Sequence, residues 1–88
     1  MSDHYQKLSQ QLKLEVWPSV YLFKFIMPND SDLIRKVIQN FDKDAIVTSS
    51  SSKTAKYIAI SIKQMMMNSD IVIEKYKQIS KLKGVISL

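Results

Sequence analysis

The chain has 88 residues, which is too short for two ordinary domains and leaves room for one modest hydrophobic core. It has no cysteine, which excludes disulfides, thiol nucleophiles, zinc–thiolate sites and iron–sulfur clusters. The net charge is +5, from 13 Lys and Arg against 8 Asp and Glu, but Arg35 is the only arginine. Because arginine is the side chain that reads phosphates and bases with paired hydrogen bonds, this lysine excess favours plain solubility over nucleic-acid binding.

Neither a signal sequence nor a membrane span is expected. The first twelve residues are mostly polar and contain no apolar stretch that resembles a signal core. No apolar run approaches the roughly 20 residues that a membrane helix needs. Together with the absence of cysteine, this predicts a soluble cytoplasmic protein that does not associate with membranes.

The first predicted element is a short helix over residues 4–14, which Ser2 or Asp3 could cap. Proline disfavours helical geometry in the residue before it, so Trp17-Pro18 ends this segment. The helix is too short to be stable alone and must pack on the rest of the chain. Its apolar stripe consists of Tyr5, Leu8 and Leu12.

Residues 20–27 give the strongest strand signal, because nearly every position is apolar and many side chains are aromatic or β-branched. Such a strand is central in its sheet or covered on both faces. A helix is predicted over residues 31–41, with Asp30 or Ser31 as its N-cap. Its apolar face consists of Leu33, Ile34, Val37, Ile38 and Phe41.

A hairpin is predicted next, from a weaker edge strand over residues 45–50 and a clearly alternating strand over residues 56–66. The serine run at residues 49–52 contains no glycine and precedes a strand, so it is a polar hairpin loop rather than a phosphate-binding loop. Asn68-Ser69-Asp70 caps a second long helix over residues 70–82, and Gly84 ends it before a last strand over residues 85–88.

The element order predicts an α+β fold of the ferredoxin-like type, a βαββαβ sandwich behind the N-terminal helix. Each long helix has one apolar face, so both should cover one face of a four-stranded antiparallel sheet. Right-handed crossovers favour the strand order 4132, with the first and third strands in the centre. We expect an N-terminal helical extension over residues 1–16 and one ferredoxin-like domain over residues 17–88.

This arrangement leaves one sheet face uncovered, which we call the open face. The larger side chains of the first strand and the isoleucines of the third should lie under the helices. Either the N-terminal helix hides the open face, or the face binds a partner or a second copy. The open face should present Val20, Leu22, Lys24 and Ile26 from the first strand and Tyr57, Ala59, Ser61 and Lys63 from the third.

Catalytic and metal chemistry cannot be assembled from the remaining residues. His4 is the only histidine and lies near the N-terminus. Most of the acidic residues are explained as helix caps, first-turn residues or turn residues. With no cysteine and no second histidine, neither a nucleophile–base pair nor a metal cluster is indicated, so we expect no enzyme and no cofactor.

Several short motifs resemble the YbeD-like family of small uncharacterised proteins. They are Trp17-Pro18 with the following Phe23-Lys24-Phe25-Ile26-Met27, the serine-containing hairpin that leads to Tyr57, Tyr76 in the last helix, and the ending Gly84-Val85-Ile86-Ser87-Leu88. Met27 and Ala55 stand where that family usually has glycine. The resemblance implies a ferredoxin-like fold similar to the ACT regulatory domains, which bind small effectors, commonly at dimer interfaces.

The leading hypothesis is therefore a non-enzymatic regulatory or interaction module. It would bind a small effector, a second copy of itself or a protein partner through the open face or the loop at residues 52–56. The candidate contact residues are Lys24, Lys53, Lys56 and Tyr57. The alternative is a nucleic-acid-binding domain, since RNA-recognition modules share this fold, but the third strand offers one aromatic side chain where such modules use two or three.

Overall fold

The computed structural model describes residues 5–88. Three helices and four strands follow one another along this part of the chain in the predicted order. Ser2 and Asp3, the predicted helix caps, and His4 lie outside the described residues. The elements are α1 (Gln6–Lys13), β1 (Ser19–Pro28), α2 (Ser31–Ile38), β2 (Ile46–Ser51), β3 (Tyr57–Met66), α3 (Ser69–Ser80) and β4 (Ile86–Ser87).

Side-chain caps start α2 and α3. The Asp30 side chain accepts a hydrogen bond from the backbone N–H of Asp32 over 2.9 Å, and Asn68 accepts one from Ile71 over 3.0 Å. These caps satisfy N–H groups that have no partner within a helix. Gly84 follows the last turn at φ +93°, a left-handed conformation that glycine adopts without steric cost.

The predicted helix over residues 31–41 ends earlier, at Ile38. The N–H groups of Asn40 and Phe41 bond to carbonyls three residues back, those of Val37 and Ile38, so the chain tightens into a turn. The Asn40 side chain also donates to the Lys36 carbonyl over 2.9 Å. Phe41 nevertheless reaches the core from this turn, as its place in the apolar pattern indicated.

The sheet is antiparallel throughout, with the order β2-β3-β1-β4. Read from β4, this is the predicted order 4-1-3-2, with β1 in the interior and β2 at an edge. β1 pairs with β3 along its whole length, from Ser19 opposite Met66 to Pro28 opposite Tyr57. The α+β class and the predicted β2–β3 hairpin are therefore confirmed.

The hydrophobic core lies on one face of the sheet. Alternate residues of β1 and β3 point into it and meet the apolar stripes of α2 and α3, as the alternation predicted. Edge-to-face contacts join the rings at its centre; the Phe23 and Phe41 centroids are 5.0 Å apart. The buried side chains are Leu12, Phe23, Phe25, Met27, Val37, Phe41, Ile60, Ile62, Met66, Val72, Ile73, Tyr76 and Ile79.

Helix α1 packs against α3 on this same covered face. Leu12 is 2% exposed and belongs to the core, and Tyr5 and Leu8 pack on its margin, which confirms the predicted stripe. The indole N–H of Trp17 donates to the Leu12 carbonyl over 2.8 Å, which holds the C-terminal end of α1 to the segment that leads into β1.

Candidate functional site

The open face of the sheet is uncovered in residues 5–88, because α1 lies on the opposite side with α3. Val20 is 60% exposed, Leu22 41% and Tyr57 55%. Of the two interpretations that the sequence left open, the structure therefore excludes coverage by this helix. Exposed apolar side chains grouped in this way are typical of binding surfaces.

Strand pairing adds further apolar side chains to the open face. Ile46 of β2 lies opposite Lys63, and Met65 of β3 lies opposite Val20, so both project on this side. Both side chains are more than half exposed. At the other end of β1, Ile86 pairs with Ile26 and is likewise exposed. The apolar surface thus extends over all four strands.

The charges on the open face are of one sign. Lys24 lies near the middle of β1, opposite Ser61, and Lys63 lies opposite Leu22. None of the four strands in residues 5–88 contains an aspartate or a glutamate. Two carboxylates of the loop between α2 and β2, those of Asp42 and Asp44, line a small cavity with Lys63.

The four predicted contact residues occupy two separate places. Lys24 and Tyr57 share the open face, but Ser61, the partner of Lys24, is four residues from Tyr57, or about 13 Å along β3. Lys53 and Lys56 lie in the hairpin loop, which we define as residues 52–56. Lys24 therefore lies apart from Tyr57 and from the hairpin loop.

Hydrogen bonds hold the hairpin loop to the start of β3 and to the residue that follows β1. The Ala55 N–H donates to the Ser52 carbonyl over 2.9 Å, and the Ser52 N–H donates to the Tyr57 carbonyl over 3.0 Å. Asn29 fixes the loop to the end of β1, because its side chain donates to the Ala55 carbonyl over 3.1 Å. Beside the loop, Tyr57 helps to line an open-face cavity of about 280 Å³, but neither Lys53 nor Lys56 does.

A larger cavity, of about 550 Å³, lies on the covered side at the β4 edge. We call it the tyrosine cavity. The hydroxyls of Tyr21 and Tyr76 lie 3.1 Å apart at its wall. Burial, and then the hydrogen bond with Tyr21, raises the pKa of the Tyr76 hydroxyl well above its usual range. The cavity is lined by Tyr5, Leu8, Tyr21, Tyr76, Ser80, Val85, Ile86, Ser87 and Leu88.

Reasoning from the sequence missed this cavity. Leu8 and the three tyrosines that line it fall on the apolar stripes of α1, β1 and α3, where side chains are expected simply to fill the core. The only available signal was that three of the protein's four tyrosines, Tyr5, Tyr21 and Tyr76, occur on these stripes, since a buried phenol needs a polar partner.

Neither a metal-ligand cluster nor a membrane-spanning helix occurs in the part of the chain that the structure describes. Among residues 5–88, no three His, Cys, Asp or Glu side chains are grouped so that they could hold a metal ion. None of the helices in these residues is long and apolar enough to cross a membrane.

Comparison with known proteins assigns the family. The family described as "Protein of unknown function (DUF493)" matches residues 13–88. The chain belongs to this family. The predicted YbeD-like resemblance is thereby confirmed. No curated protein and no solved structure matches the chain significantly.

In this DUF493 protein, Ala55 is one of the two departures from the YbeD-like pattern, and the structure shows its backbone conformation. The resemblance expects glycine at this position of the hairpin, and Ala55 has φ +60°, in the left-handed region that favours glycine. The backbone here therefore has the conformation that glycine would adopt, although the side chain is larger. The hairpin keeps its shape at some cost in strain.

Proposed function

We propose that this protein is a non-enzymatic interaction module that binds a protein partner through its open face. The observation that carries the proposal is the uncovered apolar surface around Lys24 and Lys63. The strand order and the two helices on one sheet face support a ferredoxin-like arrangement similar to that of the ACT regulatory domains. A regulatory role, which this analogy suggests, and a cytoplasmic location are both part of the proposal.

The positive charge of the open face indicates what kind of partner surface would fit it. The open face presents two lysines among apolar side chains, and none of the strands carries a carboxylate. A complementary surface is therefore apolar with carboxylates placed to meet Lys24 and Lys63. Such an arrangement steers association and fixes the orientation of the complex.

A second copy of the chain fits the open face less well. In a two-fold symmetric face-to-face dimer, the patch that contains Lys24 would meet the same patch of its partner. No carboxylate of the strands is available to neutralise the lysines there. Like charges brought together at an interface oppose association.

RNA fits less well too, because Tyr21, Phe23 and Phe25 of β1 all point toward the helices. In the described part of the chain, this leaves Tyr57 as the aromatic side chain of the strands that faces outward for base stacking. A small effector fits the open face less well, because the cavities beside Tyr57 and beside Lys63, of about 280 and 260 Å³, are below the usual size of ligand pockets.

The proposal is tested with Lys24→Glu and the matched control Lys36→Glu, which makes the same charge change on an exposed position of α2. Proteins captured from a native lysate by the wild-type chain are purified, and their affinities are measured by calorimetry for all three chains. We expect a partner whose affinity falls at least about tenfold, ~1.4 kcal/mol, with Lys24→Glu and stays unchanged with Lys36→Glu.

Three outcomes would overturn the proposal. An equal loss of affinity in the two variants would mean that the net positive charge of the chain, and not the open face, determines binding. A dimer in light scattering that Lys24→Glu abolishes would make the occupant a second copy. Binding of RNA that weakens steeply with salt would instead favour a nucleic-acid-binding domain.

A further inference from the structure

Strand β4 covers only part of the adjoining edge of β1. It pairs Ile86 with Ile26 and Ser87 with Phe25, and the Leu88 N–H donates to the Lys24 carbonyl over 2.9 Å. β1 runs on for five more residues, back to Ser19. In the described residues, no strand lies beside this remaining stretch.

The register shows which backbone groups are left at this edge. In an antiparallel strand, the N–H and C=O of one residue point to the same side, and successive residues alternate. Because the Lys24 carbonyl faces β4, the backbone groups of Leu22 and Val20 face the same way. The backbone groups of the odd-numbered residues of β1 face β3 instead. The hydrogen bond from the Asn29 N–H to the Lys56 carbonyl, just beyond the ends of these two strands, follows this alternation. Val20 and Leu22 thus form a free edge, with no partner among residues 5–88.

The tyrosine cavity lies directly beneath this free edge. Tyr21, which lies between Val20 and Leu22, points to the covered side and lines the cavity. Leu88, which follows β4, also contributes to the cavity wall. A strand placed along the free edge would alternate its side chains in the same way. One of them would therefore enter the cavity, which is large enough for an aromatic or large aliphatic group.

The charged side chains of the three segments that line the cavity are all lysines. Residues 5–14, 19–28 and 76–88 contain no Asp or Glu, and these segments supply every residue that lines the cavity. The Lys77 ammonium lies 5.9 Å from the centre of the Tyr5 ring, at the cavity wall. The lysines of the three segments are Lys7, Lys13, Lys24, Lys77, Lys81 and Lys83.

We propose that the free edge of β1 binds an extended acidic peptide segment by strand addition, with one large apolar side chain of the peptide held in the tyrosine cavity. Backbone hydrogen bonds to Val20 and Leu22 supply affinity, and the cavity and the lysines supply specificity. This site uses the backbone edge of β1 and the covered side of the sheet, so it does not depend on the function proposed for the open face.

The direct test follows amide hydrogen exchange in the uniformly 15N-labelled full chain. The probe is an N-acetylated, C-amidated peptide of sequence Glu-Val-Phe-Val-Glu, in which Phe would point into the cavity. In the free protein, the amides of Val20 and Leu22 should exchange much faster than those of Tyr21 and Phe23, which bond to β3. Saturating peptide should slow exchange at Val20 and Leu22 at least tenfold, and the same peptide with Gly for Phe should not.

Variants of the two free sheet edges supply a matched comparison. Leu22→Pro removes an N–H that has no partner in the described residues and blocks strand addition, and proline is tolerated at such positions of edge strands. Ser49→Pro makes the same change at the outer edge of β2, because Ser50 and Thr48 are the neighbours that face β3. Leu22→Pro should weaken peptide binding at least tenfold, and Ser49→Pro should leave it unchanged.

Ser80→Trp fills the cavity without altering β1 and keeps the test decisive if Leu22→Pro does not fold. It should also weaken binding at least tenfold. Unchanged exchange at Val20 and Leu22 with millimolar peptide would overturn the proposal. Protection that appears at Val47 and Ser49 would move the site to β2, and chemical-shift changes confined to Lys24 and Tyr57 would move it to the open face.

Discussion

The hydroxyl oxygens of Tyr21 on β1 and Tyr76 on α3 lie 3.1 Å apart, and this hydrogen bond ties the sheet to the helix that covers it. The two rings meet edge to face, with their centroids 6.2 Å apart. Tyr76 is buried, whereas Tyr21 is half-buried at the wall of the tyrosine cavity. The two partners therefore differ in how easily water can replace the bond.

This difference predicts unequal effects of removing each hydroxyl. Tyr21→Phe leaves the buried Tyr76 hydroxyl without a partner, which should lower the free energy of unfolding by about 1–3 kcal/mol. Tyr76→Phe leaves only the more accessible Tyr21 hydroxyl, so its cost should be smaller. Urea unfolding of the single and double variants, followed by circular dichroism, gives the coupling energy. Additive effects, or a larger loss for Tyr76→Phe, would contradict this assignment.

Stability should also fall at alkaline pH because of Tyr76. Burial raises the pKa of its hydroxyl above the ordinary tyrosine value of 10.0. The folded chain thus keeps a proton that the unfolded chain releases above pH ~10, so this contribution is complete below that pH and is lost as the pH rises, by up to ~1.4 kcal/mol per pH unit.

The measurement compares the unfolding free energies of the wild type and Tyr76→Phe between pH 8 and 11. Lysine deprotonation affects both chains alike, so their difference isolates the tyrosine. The wild type should lose stability more steeply above pH ~10. Parallel curves would show that Tyr76 titrates normally in the folded chain.

Ala55→Gly should stabilise the protein. At φ +60°, alanine bears a left-handed strain of roughly 1–2 kcal/mol, whereas glycine costs about 0.4–1 kcal/mol in unfolded-chain entropy. We expect a net gain of about 0.5–1 kcal/mol in urea unfolding. Thr54→Gly, one residue earlier and without a positive φ, is the control and should destabilise. Loss of stability in both variants would show that this turn has another conformation in solution.

Helix α1 should behave as an integral part of the fold. Leu12 is 2% exposed in the core, so Leu12→Ala should cost about 2–4 kcal/mol. Leu14, two residues later, is 87% exposed, and Leu14→Ala should change stability by less than ~0.5 kcal/mol. Thermal unfolding of the two variants supplies the comparison. Equal midpoints would mean that α1 detaches from the core in solution.

Local patterns in the sequence determined most of the fold. Alternation assigned Phe23, Phe25 and Met27 to the covered face and Leu22 and Lys24 to the open face, because side chains of a strand alternate whatever the strand pairs with. The other features predicted correctly also depend only on residues close together in the chain. They are the apolar stripes of the helices, the caps at Asp30 and Asn68 and the stop at Gly84. From these the strand order 4132 followed through general rules of chain connection.

The tertiary structure decided features that depend on segments far apart in the chain. The apolar stripe of α1 indicates that this helix packs on the rest of the chain. The side of the sheet on which it packs is decided by the space beside α3. The tyrosine cavity joins Tyr5, Tyr21 and Tyr76, and the free edge at Val20 and Leu22 depends on where β4 meets β1. No local pattern encodes such distances, because they arise when the whole chain closes around one core.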